Sequence, residues 1–513
     1  MLTSVVPLKV FSSDADVIKS PENFDSVVVV TSKVSSIGCE ALKAPLLQYV
    51  TQTDPSAENG VFLMRAGEEG PLQKVVFSGT GPLDKDYDDV RCFSDAAEKG
   101  IEKALKAGSK APALVVYPTE YKYAEFASLM GAYTALYVPL EMREEVPQRA
   151  IKADKLGFLA RDANMVKMAK ALEKGRSVSR DIGGSDPERM APPRVEEYVR
   201  SVFKDSGVKI EVVAGHDTFE KEYPCLAAVN RAASTVARHQ GRVIWLTYEP
   251  EGKVEKTAMI VGKGITYDTG GADIKAGGIM AGMSRDKCGA ADAAGFMKTI
   301  SELKPKNLKV VVGMAMVRNS VGSNCYVSDE IITSRAGVRI RVGNTDAEGR
   351  MAMVDVLCHM REKALREVNP HLMTIATLTG HAVIAVGPYT AVMDNGPASD
   401  IDFASNMVKL GTEIGDPFEK STIRREDYKM IQDVSGEYVD VLQCNNAASS
   451  RTPRGHQFPA AFMHKVSGLN EHMRKSDKPL KYSHLDVAGS SGDLPHIPTG
   501  SAISALTAHF VGF

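Results

Sequence analysis

The heptapeptide Asn344-Thr345-Asp346-Ala347-Glu348-Gly349-Arg350 sets two carboxylates two residues apart and closes with a fixed cation. In an extended backbone alternate side chains share a face, so Asp346 and Glu348 are expected to aim at one point. Two carboxylates that converge without a partner repel each other and raise at least one pKa, whereas a bound divalent cation reverses that balance. An isolated Asp-x-Glu is ordinarily a polar turn with a solvated acidic pair. The case for more lies upstream.

Between Val261 and Ala291 runs a glycine-rich segment that carries Lys263, Asp268, Lys275 and Asp286. Each interior glycine costs a helix or strand about 0.5–1 kcal/mol relative to alanine. The segment therefore reads as neither an ordinary helix nor a strand core. Gly262, Gly264, Gly270, Gly271, Gly277 and Gly278 would let the chain fold tightly around something small and charged. Asp268, Asp286, Asp346 and Glu348 together carry four negative charges, which would balance two divalent cations held about 3.5 to 4 Å apart. Neither segment contains histidine, and oxygen ligands alone favour magnesium, calcium or manganese. A lysine nitrogen would shift the preference toward zinc or another transition metal. It would have to bind as the neutral amine, and deprotonating lysine at pH 7 costs about 4.6 kcal/mol. Direct coordination to a dication can offset that cost.

These two segments, together with Thr377-Leu378-Thr379-Gly380, His484-Leu485-Asp486-Val487-Ala488-Gly489 and Pro498-Thr499-Gly500, span roughly residues 255 to 505. In them the chain resembles the leucyl aminopeptidase (cytosol aminopeptidase) family of dinuclear-metal exopeptidases. The resemblance implies that Asp268 and Glu348 bridge two metals, that Asp346 completes one site, and that Lys263 and Asp286 complete the other. It implies two divalent ions per subunit, zinc or manganese, with magnesium or cobalt as alternatives. Lys275 and Arg350 would be the catalytic side chains, Lys275 polarising the scissile carbonyl and Arg350 holding a bicarbonate ion as general base. Lys275, Met283, Asp286, Asp346 and Leu378 would contact the substrate, Met283 and Leu378 lining the pocket for the first side chain. The implied substrates are peptides with a free N-terminus, beginning with Leu, Met or similar residues. The implied assembly is a homohexamer.

The chemistry is physically coherent. A water acidified by two dications is a usable nucleophile at pH 7, and the charge developing on the attacked carbonyl can be stabilised by the Lys275 ammonium. Arg350 cannot accept a proton, since its pKa exceeds 12, but its planar fork suits bidentate capture of bicarbonate. The other reading of Arg350 is a structural salt bridge to one of the acids. Two positions depart from the family pattern. Asp273 stands where serine is usual, and in an extended stretch it would share a face with Lys275 and compete for it. Lys287 replaces a usual methionine directly after Asp286, and an ammonium facing the metals would repel them.

Composition sets the outer bounds. The chain has 513 residues, 43% hydrophobic and 25% charged, which suits two or three globular domains. A formal net charge of -2 gives no reason to expect nucleic-acid or membrane affinity. Seven scattered cysteines without paired metal spacings read as reduced thiols, and Met1 to Asp14 lacks the basic start and apolar core of a secretory signal, so a cytoplasmic protein is expected.

Apolar runs at Ser26 to Ser32, Lys74 to Ser78 and Ala113 to Tyr117 read as strands, alternating with helical spacing at Asp95 to Ala107 and Tyr123 to Tyr137. The alternation predicts an N-terminal α/β domain over residues 1–165, which the resemblance makes macrodomain-like. A helical linker is expected over 166–193, with a helix from Ala163 to Lys174 entering a Gly/Pro/Asp-rich passage at Asp181 to Pro193. A larger catalytic α/β domain over 194–513 follows, with a mixed central sheet and helices on both faces. Its strands are expected at Lys209 to Ala214, Arg242 to Tyr248, Thr257 to Gly262, Leu308 to Val317 and Leu372 to Thr377. Its helices are expected at Leu226 to His239, Ala290 to Glu302 and Met351 to Arg366. The alternative function is a catalytically weakened relative serving as a structural or regulatory assembly protein. A nucleotide-binding role for the N-terminal domain has only fold analogy behind it.

Overall fold

Apolar strands flanked by amphipathic helices fold here as mixed α/β sheets. The structure is a computed structural model that describes residues 5–13, 16, 23–65, 74–118, 121–276, 279–436, 438–445 and 447–513. Its contacts separate the chain into two compact units: one holds 2–173, 410–416 and 513, and the other holds 1, 174–409 and 417–512.

In the smaller unit β1 (Leu8–Phe11), β2 (Ser26–Thr31), β3 (Val61–Met64), β4 (Val75–Gly79), β5 (Pro112–Val116) and β6 (Leu156–Leu159) form a sheet in the order β1-β6-β5-β2-β4-β3. Only the β3–β4 pair is antiparallel. β2 is buried along its whole length, which is why its sequence is an unbroken valine run rather than an alternation. Helix α1 (Arg91–Lys106) buries Phe93, Ala96, Ala97, Gly100, Ile101 and Ala104, the i, i+3, i+4 stripe of a helix lying on a sheet. Against α1 packs α2 (Ala124–Leu136), and a Cβ at Gly131 would stand 2.1 Å from the Ser94 carbonyl oxygen.

The helix expected to end near Lys174 continues as α3 (Ala163–Gly184), through part of the passage read as a loop. The physical reason is α4 (Cys288–Leu303), packed backbone to backbone against it. A Cβ at Gly175 would lie 2.1 Å from Thr299 Oγ1 and 2.4 Å from the Gly295 carbonyl oxygen, and one at Gly183 would meet Cys288 Sγ at 2.8 Å. Glycines that lower helix propensity are tolerated because they allow this contact, and Ser179 Oγ donates across it to Asp292 Oδ1 at 2.5 Å.

The larger unit is built on β7 (Lys209–Ala214), β8 (Arg242–Tyr248), β9 (Lys256–Asp268), β10 (Leu308–Asn319), β13 (Pro370–Ala376), β14 (Thr390–Asp394), β15 (Phe418–Thr422) and β17 (Lys481–Asp486), in the order β15-β14-β17-β13-β9-β10-β8-β7. A small second sheet joins β11 (Ile331–Thr333), β12 (Arg339–Arg341) and β16 (Val441–Leu442). The four central strands β17, β13, β9 and β10 run parallel.

Consecutive residues of β9 show that helices cover both faces of the sheet. A Cβ at Gly262 would strike Ala290 Cα of α4 at 2.4 Å, while the next side chain, Lys263, lies against Gly349 of α5 (Glu348–Ala364). The strand expected to stop at Gly262 thus extends to Asp268. Gly262 and Gly264 serve strand packing, not a loop around an ion; Gly277 and Gly278 lie outside the described residues. The helix expected over Leu226 to His239 is a shorter one, Pro224–Asn230, followed by two single turns. Among the described residues no helix is long and apolar enough to cross a membrane.

Replacing Gly175 by alanine should overpack the α3–α4 contact. A loss of about 1–3 kcal/mol is expected in urea unfolding of the full chain. An unchanged midpoint would show that the helices can separate without cost.

Candidate active site

The parallel strands deliver their last residues to one edge of the sheet. Asp268 ends β9, Asn319 ends β10, Asp486 ends β17, and Thr377 follows β13. Ligands of open α/β sheets lie at this carboxyl edge. Asp286 follows a single 3-10 turn, Met283–Arg285, at the entry to α4, and Asp346 lies in the turn before α5. One oxygen each from Asp268, Asp346 and Glu348 lies within 4.8 Å of the others.

Two lysines interleave with the acids. Lys263 Nζ lies 2.7 Å from Asp286 Oδ1 and 3.0 Å from Glu348 Oε1, and donates to the Thr377 carbonyl oxygen at 2.9 Å. Lys275 Nζ lies 2.9 Å from Asp268 Oδ2 and 2.5 Å from Asp346 Oδ1. Burial works against both ammoniums, yet the surrounding carboxylates outweigh it and hold both pKa values above the ordinary lysine value. Burial pushes Glu348 well up, and Asp268 adds to the shift; burial likewise raises Asp286 against the pull of Lys263. Asp346 is raised to about 6 by burial and by Asp268, with Lys275 opposing. Counted as formal charges, four acids against two ammoniums leave two in excess, and the buried Asp286 Oδ2 and Glu348 Oε2 have no hydrogen-bond partner among the described residues. This donor set fits divalent cations: oxygen-rich, electron-rich and incompletely satisfied.

The heptapeptide is not extended, as its sequence suggested. Asn344 Oδ1 accepts from the Asp346 amide at 2.7 Å in a tight turn, and Glu348 begins α5. The two carboxylates converge because a turn feeds a helix N-terminus, where an acid is also favoured by the helix dipole. Gly349 completes the arrangement, since a Cβ there would stand 2.4 Å from Lys263 Cε. A cleft of about 580 Å³ opens onto Lys263, Asp268, Lys275, Asp286 and Asp346, with Met283, Leu378 and Val383 among its apolar walls.

The sequence matches the cytosol aminopeptidase family, catalytic domain, over residues 177–507. A Caenorhabditis elegans protein named as an aminopeptidase is 44% identical over 500 residues, covering 95% of each chain. The chain belongs to the cytosol aminopeptidase family. A Campylobacter jejuni protein named as a cytosol aminopeptidase is 30% identical over 79% of this chain and 80% of its own. The fold is shared with the leucyl aminopeptidase of Trypanosoma cruzi, at a TM-score of 0.81 and 19% identity over 99% of this chain and 97% of that one. It is also shared with the bottromycin maturation enzyme BotP in complex with Mn, at 0.76 and 19% identity over 94% and 98%. The chain is accordingly a metallo-aminopeptidase, a hydrolase of peptide bonds.

Within this aminopeptidase the remaining expected residues fall as follows. Arg350 is buried in the first turn of α5. It donates through Nη1 to the Gln443 carbonyl oxygen at 3.0 Å and stacks over Phe458, with its Nε unpartnered among the described residues. No carboxylate pairs with it there, so it is not a structural salt bridge; burial lowers its pKa. Asp273 sits in a bend and is turned to Thr345 instead of Lys275, Oδ2 accepting from the Thr345 amide at 2.7 Å and hydroxyl at 3.1 Å. Lys287 is fully buried, its ammonium donating to the carbonyl oxygens of Ser185, just past the end of α3, and Ser284. Burial lifts the Cys288 thiol to about 12, which makes it an inert packed group.

Gln443, which had no sequence signal, and Thr377 and Asp486, which lie in segments that carried the resemblance without an assigned role, complete the site. Gln443 Oε1 accepts the amides of Gly343 and Asn344, each at 3.0 Å, and its Nε2 donates to the Ala347 carbonyl oxygen. Thr377 supplies its carbonyl to Lys263 and its hydroxyl to Asp286. The buried Asp486 accepts from the Leu378 amide and the Thr379 hydroxyl, fixing one wall of the cleft. Each sits about a hundred residues from its partner, a distance at which local pattern carries no information.

Because the Lys287 ammonium is engaged by backbone carbonyls, Lys287→Met should leave Mn2+ affinity within about threefold of wild type by titration calorimetry, a shift of ~0.7 kcal/mol. A tenfold change would mean that its charge reaches the acids.

Proposed function

We propose that this aminopeptidase binds two divalent ions per subunit and removes N-terminal Leu, Met and similar uncharged residues from peptides. The observation that carries the reading is the buried excess of negative charge around Lys263 and Lys275 at the floor of the cleft. Asp268, Asp286, Asp346, Glu348 and Lys263 would hold the ions. When bound, the ions would supply Lewis acidity and a water acidified toward neutrality.

The chain's own residues do the rest. Lys275, held as an ammonium by its carboxylate neighbours, would donate to the oxygen of the attacked carbonyl as negative charge builds on it. Lys263 would have to shed its proton to serve as a ligand, so ion uptake would release protons. Arg350, with an unpartnered buried Nε, suits an oxyanion such as bicarbonate as proton acceptor. Met283 and Leu378 give the first substrate side chain an apolar wall. A free α-amino group directed to the acidic floor would confine cleavage to the N-terminus.

Manganese is the ion to try first, since BotP was solved in complex with Mn. Seven unpaired cysteines favour a reducing, cytoplasmic setting. A homohexamer follows from the family resemblance and is open to light scattering.

The test is a panel of amino-acid amides. Leucinamide and methioninamide should turn over with Mn2+ or Zn2+, stop with chelator, and recover on replenishment, while N-acetylated leucinamide should be inert. No turnover with either ion would favour the assembly-protein alternative. In the same assay Lys275→Ala should cut kcat by about 10²–10³ and change KM less; an equal loss confined to KM would place Lys275 in ground-state binding alone.

A further inference from the structure

Asn319 is the last residue of β10 and the register partner of Asp268 across the parallel β9–β10 pair. The register shifts between Val317 and Asn319, a bulge of the kind that re-aims a side chain at the end of a strand. The re-aimed amide is buried. Its Nδ2 donates to Asp268 Oδ1 at 2.8 Å and to the Thr345 carbonyl oxygen at 3.1 Å. The orientation of an amide is fixed by its partners: turned over, Oδ1 would face two acceptors, so only the donating face fits. The Asn319 carbonyl oxygen also accepts from the Thr269 amide at 3.1 Å and hydroxyl at 2.8 Å, and the Thr269 carbonyl in turn accepts the Lys275 amide at 2.9 Å.

One residue therefore touches all three arms of the site: the Asp268 carboxylate, the loop leading to Lys275, and the turn presenting Asp346. Its hold on the turn is reinforced from both sides of the Thr345 peptide. Tyr326 donates its hydroxyl to the Thr345 carbonyl oxygen at 2.9 Å, and Asp273 accepts the Thr345 amide at 2.7 Å. The Lys275 ammonium spans the two carboxylates themselves, 2.9 Å from Asp268 Oδ2 and 2.5 Å from Asp346 Oδ1, whereas Asn319 is a neutral donor that ties Asp268 to the backbone of the turn.

We propose that Asn319 is a positioning residue that sets the separation of Asp268 from Asp346, and thereby the affinity of the site for its ions and the placement of Lys275. It has no proton to give or take in the reaction and does not line the cleft. The inference rests on the two-ion reading of the site.

The decisive variant is Asn319→Asp, nearly the same in size but with an acceptor in place of the bridging donor. Asn319→Ala removes the bridge, and Asn319→Ser keeps one donor that reaches a single partner. In the full chain, Asn319→Asp and Asn319→Ala should bind Mn2+ at least tenfold more weakly by calorimetry. The electron paramagnetic resonance of the bound Mn2+ pair should change, and kcat on leucinamide at saturating Mn2+ should drop at least tenfold with KM within threefold. Asn319→Ser should fall between these and wild type. Folded variants with wild-type Mn2+ affinity and kcat would overturn the proposal, as would a loss confined to KM. If the first two fail to fold, Asn319→Ser decides on the same measurements. Wild-type protein that neither binds Mn2+ nor turns over leucinamide would instead overturn the two-ion reading, a separable failure.

Discussion

The larger unit is organised around one electrostatic constraint: the carboxylates of Asp268, Asp346 and Glu348 are gathered around one point, with Asp286 joined to Glu348 through Lys263. Like charges within 4.8 Å of one another repel by at least about 3 kcal/mol per pair at an effective dielectric near 20. A chain with no compensating charge would protonate the acids or push them apart. Here Lys263 and Lys275 are inserted between them, and their ammoniums turn a repulsive cluster into an alternating one. The compensation is incomplete, and the remaining charge is what makes the site receptive to divalent ions.

Holding such a cluster requires rigid supports from several directions. Parallel strands supply Asp268, Asn319 and Asp486 at a common edge, and the α5 N-terminus supplies Glu348. Close packing at glycines brings the supports together: Gly262 admits α4 to the sheet, and Gly349 admits Lys263 to α5. The bulge at the end of β10 then redirects one amide to link Asp268 to the Thr345 carbonyl of the turn before α5. Packing, hydrogen bonding and charge thus act on the same few atoms.

Much of this was legible in the sequence, and the reasons divide by range. β7 and β8 lie where their apolar runs predicted, because a run of β-branched residues flanked by polar ones is a local signal. The cleft residues Lys263, Asp268, Lys275, Asp286 and Asp346 are brought together as the two motif segments suggested. Glycine was misread wherever its role was tertiary. Gly262 and Gly264 looked like loop-formers and lie in a strand, and the glycines of α3 sit within a helix. The backbone of the heptapeptide was misjudged too, since a turn with an Asn344 bridge and an extended strand can present the same two acids to one point. Asn319 and Gln443 gave no signal, because an amide becomes informative only once its distant partner is known.

The most direct measurement is anomalous diffraction from crystals of the full chain soaked in Mn2+. The account predicts two manganese peaks about 3.5–4 Å apart, bordered by Asp268, Asp286, Asp346, Glu348 and Lys263, with Lys275 facing the cleft. A single peak elsewhere, or these side chains dispersed around an ion-free cleft, would contradict it.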